Sequence, residues 1–198
     1  MCAHARADGF NDAYRDTPPW DISRPQPGFR ALAEDGALHG RVLDVGCGTG
    51  EHALLAASLG FDATGIDGAP IAIEKAEAKA RERGIDARFV VDDVLQLAQT
   101  GEQWDTVLDC GVFHVFDDDD RPVYVENLAA VIPAGGRCFM LCFSDRQPGA
   151  AGPRRVSQDE IRSSFADGWR VDSIEASVIE TNWQERSAQA WLATITRM

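Results

Sequence analysis

The sequence lacks any run of the ~20 consecutive apolar residues that a membrane-spanning helix requires. Its N-terminus, MCAHARADGFNDAY, also lacks the apolar core of a signal peptide. Basic residues are scarce: 19 Lys and Arg stand against 32 Asp and Glu, for a net charge of −13. Because nucleic acids and anionic membranes attract basic surfaces, this balance argues against both as partners. We therefore expect a cytoplasmic protein.

Cysteine and histidine are also sparse, and neither is spaced as a ligand set. The five cysteines are odd in number and show no C-x-x-C pair, and the four histidines show no H-x-x-x-H pair. A zinc site needs closely spaced ligands, and a disulfide framework needs paired cysteines. We therefore predict neither a metal site nor a disulfide framework. The cysteines lie at positions 2, 47, 110, 138 and 142.

The sequence does contain a regular alternation of strand-like and helix-like segments. Its 198 residues, 44% of them hydrophobic, suffice for one α/β domain with a sizeable core. Alternation of this kind predicts a largely parallel sheet with helices on both faces. Helices are predicted over Glu51–Leu59 and Pro70–Arg83, and a strand over Arg137–Phe143. Val171–Glu180 and Ala188–Thr196 have the pattern of an antiparallel pair at the sheet edge.

Shorter signals fill the remaining elements. The acidic run Asp117–Asp120 is interpreted as the solvated first turn of a helix, where the helix dipole favours negative charge. Ser157–Glu160 has the spacing of a capping box that opens a helix to Ala166. Three further segments are predicted as strands, the last with its following loop: Asp62–Asp67, Phe89–Val94 and Asp105–Val115.

The most informative segment is Arg41–Gly50, RVLDVGCGTG, an apolar strand that runs into a loop with glycine at 46, 48 and 50. Glycine there allows positive φ and lets a ligand lie against bare backbone. In α/β folds such a loop holds a nucleotide-like cofactor at the carboxyl end of the sheet. Asp44, just before the loop, would repel a pyrophosphate but would suit a ligand with an ammonium group.

Two further acidic positions end successive predicted strands. Asp67 could bind ribose hydroxyls, and Asp92 with Asp93 could meet an adenine amino group. Each acid could instead be a helix N-cap or a loop residue. The spacing Gly48-x-Gly50-x-x-Ala53 also fits a dinucleotide site, so an NAD-dependent oxidoreductase stays open as an alternative.

These motifs resemble those of the class I S-adenosylmethionine (SAM) dependent methyltransferases over residues 38–143. VLDVGCGTG matches the first motif of that family, GIDGAP the ribose motif and FVVDDVLQL the adenine motif. WDTVLDCGVFHVF and LAAVIPAGGRCFML match the fourth-strand and fifth-strand motifs. The chain departs from the family pattern at Asp92, where many members have glycine, and at Ala134, where Pro-Gly-Gly is more usual.

The resemblance implies a Rossmann-like class I methyltransferase fold: a seven-stranded, mostly parallel sheet in the order 3-2-1-4-5-7-6. It implies SAM as the cofactor and S-adenosylhomocysteine as the product. A non-catalytic SAM-binding module stays open as a second alternative. The implied cofactor-binding residues are Trp20, Asp44, Gly46, Cys47, Gly48, Gly50, Asp67, Asp92, Asp93, Val94 and Cys110.

The N-terminal segment resembles that of the thiopurine and thiol (halide) methyltransferases. Thr17-Pro-Pro-Trp20-Asp21 stands where that family has a T-P-W-D type motif, and Phe10 and Tyr14 stand at its earlier aromatic positions. In the family this segment covers the cofactor as a lid. We therefore expect a lid and helix over residues 1–36 and a Rossmann-like core over residues 37–198.

The resemblance favours a small-molecule thiol as the methyl acceptor, with an oxygen or nitrogen acceptor, chiefly a phenol or quinol hydroxyl, as the runner-up. A thiol is already partly ionised near neutral pH, whereas a hydroxyl more often needs a general base. The candidate catalytic residues are His114, Tyr14 and Asp21. The candidate substrate residues are Phe10, Tyr14, Arg24, His114 and Arg154, and the expected oligomeric state is a monomer or weak dimer.

Overall fold

A computed structural model of the chain describes residues 9–149, 152–182 and 187–198. Cys2 and His4 lie outside these residues. A short helical segment at 9–13 precedes the named elements. The helices are α1 (Pro27–Glu34), α2 (Glu51–Ser58), α3 (Pro70–Arg83), α4 (Asp120–Val131) and α5 (Gln158–Ser164). The strands are β1 (Val42–Val45), β2 (Ala63–Asp67), β3 (Arg88–Val91), β4 (Thr106–Cys110), β5 (Arg137–Phe143), β6 (Trp169–Glu180) and β7 (Ser187–Arg197).

The seven strands form one sheet in the order β3-β2-β1-β4-β5-β7-β6. The first five run parallel, and β7 lies antiparallel between β5 and β6. This is the strand order that the resemblance implied, and the Rossmann-like class I methyltransferase fold is confirmed. Val45 is in register with Ile66 of β2 and Asp109 of β4. The carboxyl ends of these strands therefore meet at one edge of the sheet, where ligands bind in such folds.

Apolar side chains cover both faces of the sheet. On one face Trp104, Tyr124 and Phe165 pack in a core that includes α4 and α5. On the other face Phe29 of α1 and Ala56 of α2 pack in a second core with Phe139 and Leu141 of β5. Every residue of β1 is buried, as expected for a parallel strand enclosed on both sides.

Several element ends follow the local signals in the sequence. Helix α3 begins with Pro70 and ends at Gly84, which adopts φ +64° as a helix-ending glycine does. Ser157 and Glu160 form the predicted capping box. Helix α5 ends at Ser164, two residues before the predicted end, where Phe165 turns into the core.

Two further predicted boundaries were wrong. The third strand ends at Val91 rather than Val94, because Asp93 caps a 3₁₀ helix over Val94–Thr100. Helix α4 begins at Asp120, so most of the acidic run precedes it. The Asp117 carboxylate there accepts a hydrogen bond from the Asp120 amide at 3.1 Å. Within the described residues, every helix is too short or too polar to cross a bilayer.

Gly65, in the middle of β2, lets the loop after β1 pack closely on the sheet. A Cβ atom at this position would lie 2.8 Å from Cys47 Sγ and 2.8 Å from the Phe89 ring. Both neighbours belong to other elements, and Cys47 is buried. Only glycine therefore allows β2 to support both the loop and β3.

We predict that Gly65→Ala lowers the free energy of unfolding by about 1–3 kcal/mol, the usual cost of overpacking a core. Urea unfolding followed by circular dichroism measures the loss. Gly28→Ala is a matched control, since its new methyl group would meet only side-chain ends at 3.3 Å or more. A loss in Gly65→Ala no larger than in Gly28→Ala would contradict this account of the packing.

Candidate active site

The loop after β1 carries three glycines in the left-handed region, with φ of +59° at Gly46, +53° at Gly48 and +85° at Gly50. A Cβ on Gly46 would overlap Val112, and one on Gly50 would lie 2.7 Å from the Phe89 ring. At Gly48 the nearest atom is instead the Tyr14 hydroxyl, at 2.5 Å. Gly46 and Gly50 thus serve close packing, whereas the bare face of Gly48 points toward the N-terminal segment.

Asp44, at the end of β1, is fully buried beneath this loop. Its Oδ2 accepts a hydrogen bond from the Ala53 amide at 3.2 Å, but its Oδ1 has no hydrogen-bond partner. His52 Nδ1 lies 3.8 Å from that Oδ1. Because His52 Nε2 accepts a hydrogen bond from the Gln26 amide, the neutral ring carries its proton on Nδ1, toward Asp44. Sequence reasoning missed His52, since nothing in its spacing marks it.

Asp67, at the end of β2, ties the loop to the neighbouring strand. Its two carboxylate oxygens accept hydrogen bonds from the amides of Gly48 and Ala69, each at 2.8 Å. Burial raises the pKa of Asp67 above its usual value, and the nearby charge of Asp44 adds to the rise. The acid predicted to bind ribose therefore stands next to Gly48. It lies in the region between the carboxyl ends of β1, β2 and β4 and the N-terminal segment, which we call the cleft.

The adenine-side residues follow β3. Asp93 accepts a hydrogen bond from the Leu95 amide at 2.9 Å and so caps the 3₁₀ helix that begins at Val94. Asp92 Oδ1 accepts from the Asp93 amide at 2.8 Å, and the Asp92 amide donates to the Asp67 carbonyl. The N-cap reading that the sequence left open is thus correct for Asp93. A cap of this kind still leaves carboxylate oxygen capacity for a ligand.

The loop after β4 depends on Asp109, which sequence reasoning also missed. This fully buried carboxylate accepts hydrogen bonds from Val112 N at 2.8 Å, Phe113 N at 3.2 Å and Tyr124 Oη at 2.9 Å. Burial raises the pKa of Asp109 to about 7. An acid inside an apolar strand was the available signal. The neighbouring Cys110 is half-buried, and burial raises the pKa of its thiol.

His114 lies in the short 3₁₀ helix of this loop, almost fully buried. The Phe143 amide donates a hydrogen bond to its Nδ1 at 3.0 Å. Burial lowers the pKa of His114 to about 3, and the charges of Arg121 and Arg155 contribute. A neutral imidazole whose Nδ1 accepts carries its proton on Nε2. The ring is therefore arranged to donate a hydrogen bond at Nε2.

The N-terminal aromatics come together over the loop after β1. Trp20 Nε1 donates a hydrogen bond to the Tyr14 hydroxyl at 3.0 Å, and the Phe10 and Trp20 rings lie 5.9 Å apart. Tyr14 is buried, whereas Trp20 keeps 43% of its surface exposed. Burial and the charge of Asp67 raise the pKa of Tyr14, so its phenol stays protonated.

A polar network fastens this segment to the core. The Thr49 hydroxyl donates to Asp21 Oδ1 at 2.8 Å and accepts from Lys79 Nζ at 2.6 Å. Lys79 also pairs with Glu51 at 2.7 Å. The Asn182 side-chain amide donates to the carbonyl oxygen of Asp21 at 2.9 Å. Sequence reasoning found Asp21 but missed its partners, which come from distant parts of the chain.

The two arginines expected to bind substrate are both ion-paired. Arg24 meets Glu180 at 2.9 Å. Arg154 meets Asp118 at 2.5 Å and Glu160 at 2.6 Å. Over the described ranges no three His, Cys, Asp or Glu side chains converge as metal ligands.

A methyltransferase-domain family matches residues 42–136. The chain is 33% identical to a 2-heptyl-1-hydroxyquinolin-4(1H)-one methyltransferase of Mycobacteroides abscessus, over 92% of this chain and 86% of that protein. It is 28% identical to a probable thiol methyltransferase 2 of Arabidopsis thaliana, over 72% of this chain and 64% of that one.

Among solved structures, one described under the conversion of a disulfide bond into a thioacetal group during echinomycin biosynthesis superposes with a TM-score of 0.88. It is 36% identical, over 96% of this chain and 92% of that one. The fold, the loop after β1 and these relatives all indicate the same family. The chain belongs to the SAM-dependent methyltransferases, and SAM is its cofactor.

The raised pKa of Asp109 predicts a pH dependence of stability. The folded state holds this proton up to about pH 7, whereas an unfolded Asp loses it near pH 3.9. The folded state therefore binds more protons between these values, and its stability falls as pH rises through about 7. From pH 5.5 to 8 we expect Asp109 to contribute a loss of up to about 2 kcal/mol, at about 1.4 kcal/mol per unit.

Urea unfolding at several pH values checks this expectation. Asp109→Asn should flatten the dependence relative to the wild type. Tyr124→Phe removes a donor that favours the ionised carboxylate of Asp109. The fall in stability should therefore extend to higher pH in this variant. Wild-type and Asp109→Asn curves that run parallel would show that Asp109 does not titrate in this range.

Proposed function

We propose that the chain transfers a methyl group from SAM to a small-molecule acceptor, with a thiol favoured and a phenol-type or N-hydroxy oxygen as the runner-up. One observation carries the proposal: Tyr14 lies against Gly48, which is bonded to Asp67 at the end of β2, and Trp20 donates a hydrogen bond to the Tyr14 hydroxyl. Methyl transfer needs in-line approach of the acceptor and exclusion of water. An aromatic cover excludes water from the site, and its ring faces can stabilise the sulfonium cation.

The residues of the cleft fit SAM. Asp44 keeps one buried carboxylate oxygen without a donor, which an ammonium group would supply directly or through a water. Asp67 would bind the ribose hydroxyls, while Asp93 and Val94 would meet the adenine edge. When bound, SAM supplies a methyl group on a sulfonium sulfur, which leaves as a neutral thioether. The chain's own contribution is to orient it, with Gly48 and Cys110 near the methionine end.

The alternatives have less support. An NAD-dependent oxidoreductase would place a pyrophosphate near the buried charge of Asp44, which repels it. A non-catalytic SAM-binding module would not require three aromatic side chains over the cofactor loop. The two curated relatives named above are methyltransferases.

Three observations support a small acceptor. The relative from Mycobacteroides abscessus is named for a hydroxyquinolinone, and the one from Arabidopsis thaliana for a thiol. The net charge of −13 would repel a polyanionic substrate as it approaches.

We propose that residues 1–36 serve as a lid on a core of residues 37–198, and that the protein acts as a monomer or weak dimer.

Asp67→Ala should weaken SAM binding about tenfold to a hundredfold, because it removes charge-assisted hydrogen bonds of ~1.5–3 kcal/mol. Calorimetry with SAM, S-adenosylhomocysteine and NAD measures the change. Asp62→Ala, an exposed acid just before the same strand and paired with Arg41, is the matched control and should bind as the wild type does. Tight NAD binding without SAM binding would sink the proposal.

The lid proposal predicts a change in hydrogen exchange. Amides of residues 9–27 should exchange more slowly once S-adenosylhomocysteine is added, since the ligand adds contacts to the Tyr14–Trp20 pair. Strand β7, hydrogen-bonded on both sides, is the internal control and should change little. Trp20→Ala should reduce turnover more than stability. Equal exchange with and without ligand would argue against a lid.

A further inference from the structure

Three side chains near the cleft could serve as a general base: His114, Asp21 and Tyr14. Each already has a fixed hydrogen-bond partner in the protein. How each is held decides whether the enzyme can remove a proton from its acceptor.

His114 is held neutral with its proton pointing outward. Its Nδ1 is occupied by the Phe143 N–H, and Arg121 on α4 and Arg155 beyond β5 place positive charge near the ring. Arg121 is itself paired with Glu160 of α5 at 3.1 Å and lies over the Phe113 ring. Among the described residues, the charges that act on the ring are both positive, so a second proton would add a cation beside them. His114 is therefore a poor proton acceptor.

The other edge of the ring is placed to donate. His114 Nε2 lies 3.2 Å from the position that a Cβ on Gly111 would take, so it adjoins the carboxyl end of β4. Among the described residues, no protein group accepts a hydrogen bond from His114 Nε2. This atom is also absent from the set of fully enclosed polar atoms that lack a partner, so it keeps some exposed surface. The Nε2–H can therefore reach a group in the cleft.

The other two candidate bases are also hydrogen-bonded within the protein. The Tyr14 phenol stays protonated, and its oxygen accepts the Trp20 N–H. Asp21 Oδ1 accepts the Thr49 hydroxyl and lies 3.8 Å from Lys79 Nζ. This carboxylate oxygen is therefore already engaged by the protein.

We propose that His114 is a hydrogen-bond donor to a methyl acceptor that reaches the site already ionised. The acceptor class is then an acidic nucleophile: a thiolate, an acidic phenolate or an N-hydroxy anion. This inference rests on the proposed function and narrows its substrate class. The His114 N–H and the anion form a charge-assisted pair, which orients the attacking atom.

The transfer balances without a base. The acceptor releases its proton to solvent before it binds. Its lone pair forms the bond to the methyl carbon while the carbon–sulfur bond breaks and its electrons return to sulfur. The anion and the sulfonium cation are thereby both neutralised, and His114 keeps its proton throughout.

The first test needs no turnover. Nitrogen-15 NMR of the histidine side chains, in protein without ligand, should show His114 with a proton on Nε2 and none on Nδ1. This signal should not titrate between pH 5 and 8. His114→Gln identifies the resonance by its loss. A His114 ring that becomes doubly protonated near pH 6.5, or that carries its proton on Nδ1, would overturn the assignment.

The second test uses substituted thiophenols and phenols of graded pKa as acceptors. The acidic limb of kcat/KM should move with the pKa of each acceptor. His114→Leu should lower kcat/KM about 10- to 100-fold, the value of a hydrogen bond to a charged group. His114→Gln, whose amide can accept from Phe143 and donate outward, should recover activity to within about tenfold of wild type.

Calorimetry with SAM is the control, and both His114 variants should bind SAM as the wild type does. A loss of turnover with SAM binding unchanged then reports on the acceptor and not on the cofactor site. A limb fixed at one pH for every acceptor would show a protein base and overturn this inference alone. So would equal losses in the Gln and Leu variants with the fold intact. Failure to methylate any member of the series would overturn the proposed function, and this assignment with it.

Discussion

The site depends on the carboxylate of Asp67 and the two amides it holds. Its hydrogen bond to Gly48 fixes the loop after β1 against β2, and its bond to Ala69 fixes the start of the next segment. Its own carbonyl accepts the Asp92 amide, which brings the end of β3 into the same arrangement. Because Tyr14 lies against Gly48, this carboxylate also contributes to the position of the N-terminal segment.

Buried negative charge is the second constraint on the site. Asp44, Asp67 and Asp109 end three adjacent strands, and the charge of Asp44 raises the pKa of the other two. Backbone amides donate hydrogen bonds to all three carboxylates, and burial raises the pKa of Asp109 to about 7. Such a site favours a ligand with positive charge. Burial raises the pKa of the nearby Cys47 and Cys110 thiols, and the charge of Asp44 adds to the rise.

Local chemistry made much of the fold predictable. The capping box at Ser157, the helix stop at Gly84 and the glycines after β1 are recognisable because each acts on its immediate neighbours. Asp109 and His114 acquire their properties only when Tyr124, Phe143 and Arg121 pack around them, so sequence spacing could not reveal them. The predicted end of β3 was wrong for a related reason. Asp93 looks like a strand-end acid in the sequence, but in the structure it caps the 3₁₀ helix that follows.

Strand β6 lies at the edge of the sheet, where unpaired backbone groups can recruit another chain. Gln26 covers the end of this strand: its side-chain amide donates to the Glu180 carbonyl at 3.0 Å and accepts from the Glu180 amide at 2.8 Å. The Asn182 amide donates to the Pro19 carbonyl just beyond. The segment that borders the active site therefore also occupies the backbone groups at the end of this edge strand, so its displacement would free them for pairing with another chain.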